Sequence, residues 1–158
     1  MTNQYPTNEL LIDQIEWHWS NQLRPRLDGL TDEEYFWQPV AGCWTVRPAD
    51  SPAPDYAPIQ AGTGSMRIDW AMPEPDPAPV TTIAWRLGHV IVGVLAVRNH
   101  AHFDAPPTDY FTWPYAATAS EALDQLDEQY ARWRAGVSSL GEEGLQRPCG
   151  ETDRKSVV

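Results

Sequence analysis

The sequence predicts an all-α fold, a helical bundle with long loops. Three observations carry that expectation. Apolar residues recur at helical spacing in three separate stretches, starting near Thr7, Thr81 and Thr118. Two helix starts carry a Thr with a Glu three residues later, the capping-box pattern. No stretch reads as a convincing sheet.

The first helix is predicted over roughly Thr7 to Leu27. Leu11, Ile15, Trp19, Leu23 and Leu27 recur every four residues, and Ile12 widens the stripe. Pro25 should bend or frame its last turn. A short helix follows, opened by Thr31 and Glu34, with Leu30 and Tyr35 placed to staple it. Gln38 to Pro79 holds most of the 15 prolines, so no helix can run through it. Trp44 to Val46 and Met66 to Trp70 read as short extended pieces there.

The next helix, Thr81 to Phe103, is the most apolar. Ile83, Leu87, Val90, Val94 and Val97 form its main stripe. Further apolar residues fall off that stripe, which predicts burial on more than one side. Pro106 and Pro107 stop it. A loop carrying Tyr110, Phe111, Trp113 and Tyr115 follows. The last helix opens with Thr118 and Glu121. Leu123, Leu126, Tyr130, Trp133, Val137 and Leu140 give it a coiled-coil-like seam, and Gly141 is placed to cap it. Residues 1–150 are read as one domain and 151–158 as an unstructured tail.

Composition narrows the function classes. Net charge is −11 and the pI about 4.6, with 11 Lys and Arg in 158 residues. That argues against nucleic acid and against an anionic membrane surface. No apolar run approaches the roughly 20 residues of a spanning helix, and the first eleven residues lack a signal-peptide pattern. Cys43 and Cys149 are too few for a disulfide framework, which points to the cytoplasm. Eight tryptophans promise an aromatic core or pocket.

Chemistry centres on histidine. His100 and His102 lie about 200° apart on a helix, and His89 and His100 about 16 Å apart along it, so neither pair can share a metal ion. His89 lies midway along the most apolar helix. Gly93 and Ala96, one and two turns on, leave room beside its imidazole. A satisfied core histidine and a metal ligand both fit that position. His18, between Trp17 and Trp19, suits a helix interface, and His100 and His102 suit the helix dipole. Gly62 to Met66 lacks the Lys and the helix of a phosphate loop and reads as a flexible turn. Nothing near Cys43 would lower its pKa, which speaks against a nucleophile. The loop aromatics could line a cavity or simply pack.

The segment Ile83-Ala-Trp-Arg-Leu-Gly-His89 resembles the DinB-like superfamily, which includes thiol-dependent maleylpyruvate isomerases and bacillithiol or mycothiol S-transferases. Further similarity runs from the first helix through Leu27 to Pro39, Cys43 to Pro48, and Trp133 to Pro148. The resemblance implies an up-down four-helix bundle holding a divalent metal, zinc or nickel, on three histidines. His89 matches the ligand on the second long helix. The other two ligands would come from a His-x-x-x-His pair on a last helix, which this sequence lacks. The sequence stops about where that helix should begin. A frameshift, an artificial boundary or pairing of two chains would each account for that. The resemblance implies thiol transfer, isomerisation or metal-assisted hydrolysis, with a small thiol as partner. The alternative is a catalytically incompetent, truncated member that pairs with itself as a homodimer or binds another protein through its open apolar face.

Overall fold

The computed structural model describes residues 6–149. The expected tail, 151–158, lies outside the described residues. Three long helical segments lie where the apolar repeats place them. α1 (Thr7–His18) runs on through a π turn, Trp19–Leu23, and a 3-10 turn, Arg24–Leu27. Pro25 has no N–H to give to the carbonyl four residues back, so the ladder changes pitch around it. α2 (Asp32–Tyr35) opens with the complete capping box. The Glu34 amide donates to Thr31 Oγ1 at 3.2 Å, and the Thr31 amide donates to Glu34 Oε2 at 3.0 Å. Tyr35 and Leu30 both join the main core.

The Pro-rich stretch corrects the all-α expectation. It holds a three-stranded antiparallel sheet, β1 (Val46–Pro48), β2 (Ile59–Ala61) and β3 (Met66–Trp70), in the order β1-β3-β2. Val46 pairs with Ile68 on one side of β3, and Ala61 pairs with Ile68 on the other. Met66 to Trp70 is extended as expected. The other extended piece starts later, at Val46, while Trp44 only bridges to Thr81. These strands are too short for a periodic signature, and their stability comes from non-local contacts. The Gly62–Ser65 turn is not free. The Thr63 amide donates to the Trp113 carbonyl at 2.9 Å, tying the turn to the later loop.

α3 (Ile83–His89) starts at Thr82, whose hydroxyl accepts from the Trp85 amide. It passes through a π segment, Val90–Ala96, into α4 (Val97–His102). The predicted stripe on this helix is corrected. Leu87 is buried, but Ile83 and Val94 are exposed, and Val90 and Val97 are half-buried. The inner face is instead Ala84, Gly88, Ile91, Val92, Leu95, Ala96 and Asn99. Its small residues let the sheet and α5 approach closely, which outweighs the larger side chains across the helix. α3 touches α2 and α5 as well as β1 and β3.

α5 (Ala119–Leu145) takes its cap from Thr118, whose hydroxyl accepts from the Glu121 amide. Glu121 reaches the Ala117 amide rather than that of Thr118, so the box is half formed. Gly141, at φ 57°, interrupts the helix where the sequence places a cap. The seam is buried at Leu123, Leu126 and Tyr130, half-buried at Trp133 and Val137, and exposed at Leu140. α5 lies between α1 and α3–α4 and touches both. No helix among the described residues is long and apolar enough to cross a membrane.

Candidate functional site

His89 stands at the last residue of α3, where the helix widens, and it is half-buried. Its ring stacks on Trp85, one turn earlier, with centroids 5.4 Å apart and planes 8° apart. On its other side Tyr110 brings its hydroxyl to 2.6 Å from His89 Nδ1. Trp70 closes the group, 6.2 Å from Trp85 and 5.7 Å from Tyr110. The room the sequence predicts beside the imidazole is filled by that loop tyrosine. A Cβ on Gly93 would lie 2.0 Å from the Tyr110 hydroxyl oxygen, so glycine is what admits it. Tyr115 anchors the same loop, its hydroxyl donating to the Tyr110 carbonyl at 3.1 Å.

The aromatic group rests on a buried charge pair that the sequence reading missed. Asp69, fully buried in β3, accepts from Arg47 Nε at 2.6 Å and Nη2 at 2.5 Å. It also accepts from Gln60 Nε2 and the Thr45 amide. The Trp85 indole N–H donates to the Asp69 carbonyl at 2.9 Å. The sheet thus positions Trp85, and Trp85 positions His89. The available signal was a charged residue between Ile68 and Trp70 in an extended piece, because a buried charge needs a partner.

The surroundings of His89 favour the uncharged ring. Burial, and then the Arg86 charge one turn away, lower the His89 pKa. Burial pushes the Tyr110 phenol up to about 12, against the Arg98 charge. The guanidinium of Arg98 folds back onto the Gly93 and Val94 carbonyls.

The other histidines are elsewhere. His18 borders an apolar cleft of about 280 Å³ with Ile15, Trp19, Leu23 and Tyr130. His100 meets the Ala105 carbonyl through Nδ1 at 2.8 Å. His102 lies beside Phe103. No three His, Cys, Asp or Glu side chains among the described residues converge on a point where they could hold a metal. A closed protein site takes three or four ligands. The donor set around His89 therefore does not fit the metal that the resemblance implies. Cys43 is buried, and Cys149 is exposed and unpaired.

A helix-rich chain with this His-bearing second helix has a recognisable lineage. The DinB superfamily pattern matches residues 14–157, and the chain belongs to that superfamily. No curated protein and no solved structure matches it.

Proposed function

We propose that this DinB superfamily protein is a small-molecule-binding module that works at His89. One observation carries the reading. The His89 imidazole is held at Nδ1 by Tyr110 and flanked by aromatic faces, and no hydrogen bond to its Nε2 forms among the described residues. Such a group combines apolar area with one oriented polar side chain, as the lining of a ligand site does. Two free cysteines suit a reducing, cytoplasmic setting.

A second reading is the metal-dependent one, thiol transfer, isomerisation or hydrolysis on zinc or nickel. The match of His89 to the family position favours it. It requires ligands from outside residues 6–149 or from a second copy. The same requirement would restore a four-helix bundle, with a further helix lying over the exposed Ile83 and Val94. A module that only pairs with itself or a partner protein through this face is the third form the fold can take.

Metal content per chain, measured by inductively coupled plasma mass spectrometry on wild type and His89→Ala, separates these readings. The ligand-binding reading expects no stoichiometric metal in either. Near one zinc or nickel per chain, lost in the variant, would replace it with the metal reading. Sedimentation velocity over a concentration series shows whether the module pairs.

A further inference from the structure

Charge is spread unevenly over this chain. It carries 22 Asp and Glu and a net charge of −11, yet no Asp or Glu lies between residues 81 and 103. The Lys and Arg of that stretch are Arg86 and Arg98. α1 is the reverse, with Glu9, Asp13 and Glu16 and no Lys or Arg. Two copies of so acidic a chain repel wherever acidic faces meet, so another copy can approach most easily at a face without carboxylates.

Both helices turn an uncovered apolar stripe outward. On α3, Ile83 is exposed, Val90 is half-buried, and exposed Arg86 stands between them. Val94, one turn further on, is exposed as well. On α1, Leu10 and Trp17 are exposed, with exposed Asp13 between them. The spacing is three residues and then four in both stripes, so each triplet shares one side of its helix over about 10 Å. Ile15 and Trp19, on the other side of α1, pack on the core, and Asn8 is the one buried residue of that helix. The middle residue is a cation in one stripe and a carboxylate in the other. Neither the Arg86 nor the Asp13 side chain makes an ion pair or hydrogen bond among the described residues.

Resting on the self-pairing form of the module, we propose that copies of this chain associate head to tail, the α3 stripe of one against the α1 stripe of the next. Ile83, Val90 and Val94 then displace water from Leu10 and Trp17, and Arg86 pairs with Asp13 at the middle of the contact. The matched spacing sets Arg86 against Asp13 whichever way the two helices run. The faces are different surfaces, so the contact is heterologous, and chains add until a ring closes or a filament extends. What His89 binds does not enter this contact.

Sedimentation velocity on the intact protein, from about 1 μM to about 100 μM, tests it. The average mass should rise above the 17.8 kDa of one chain as concentration increases. Arg86→Glu and Asp13→Arg each set like charges face to face, and each should raise the concentration at which association begins at least about tenfold. An equimolar mixture of the two variants should associate as the wild type does, because each offers the charge that the other lacks. Both positions are exposed, so circular dichroism should show unchanged helix content in both variants. A single chain at every concentration would overturn the contact and self-pairing with it. Association that either reversal leaves unchanged would overturn these two faces while leaving self-pairing. Two weakened variants that stay apart when mixed would overturn the match of Arg86 to Asp13, and with it the proposal. Lost helix content would mean that these positions are not open surface, which overturns it too.

Discussion

The part of the molecule built from the sheet, α3 and the loop before α5 is constructed differently from the part where α1 and the turns that continue it meet α5. In the first part the charge pair is inside. Asp69 is fully buried, and four donor groups converge on its carboxylate. In the second part the charge pairs are on the surface. Arg24 pairs with Asp127 and Asp28, and Arg134 pairs with Glu16, all with side chains partly open to water. The first part buries Val46, Ile68 and Tyr115, whereas the second leaves Leu10, Leu11, Leu23 and Leu140 exposed. The contrast shows where specificity is stored. A buried ion pair fixes one arrangement because any other leaves a charge unpaired, and the aromatic site sits on that fixed part.

The largest break in this contrast should come from Asp69→Ala. It strands Arg47 in a partly buried position and should cost about 3–5 kcal/mol, read from urea unfolding. A loss under about 1 kcal/mol would mean that the pair does not hold the sheet. Leu126→Ala, in the fully buried part of α5, should cost about 2–5 kcal/mol. The matched change Leu11→Ala, at an exposed position on α1, should stay within about 0.5 kcal/mol. Similar losses at both positions would show that a further element covers α1 in solution.

Smaller effects sharpen the picture. Thr118→Ala removes the cap of α5 and should cost about 1 kcal/mol. Arg24→Gln, at a surface pair, should cost about 0–1 kcal/mol and lose even that in high salt. The pH test is the most delicate. The folded state holds the His89 pKa below its usual 6.5. Above 6.5 the imidazole is neutral in both states. Below it the unfolded chain takes up a proton first, so stability falls as pH drops from 6.5 toward the lowered folded value. Nuclear magnetic resonance titration should place the His89 midpoint below 6.5. A midpoint at or above 6.5 would mean that water reaches the ring freely.

The legible parts of the fold were the local ones. Thr31–Glu34 and Thr118 announce helix starts because a hydroxyl and an orphan amide meet within one turn. The apolar repeats of α1 and α5 announce helices for the same reason, since their period is set by neighbours in sequence. His89 stood out because a polar ring midway along an apolar helix asks for an explanation. The stripe on α3 misled, because periodicity reports which residues share a face and not which face is covered.

Sequence alone determined the helices, the caps at Thr31 and Thr118, and the superfamily. Each depends on residues a few positions apart or on a pattern spread along the chain. Tertiary structure alone decided the sheet, the Asp69–Arg47 pair and the Tyr110 hydroxyl over Gly93. The Asp69–Arg47 contact joins residues 22 apart and the Tyr110–His89 contact residues 21 apart. Bonds at such separations leave no period to read. They form because burial removes water from polar groups, and each group must then find a partner wherever the fold brings one.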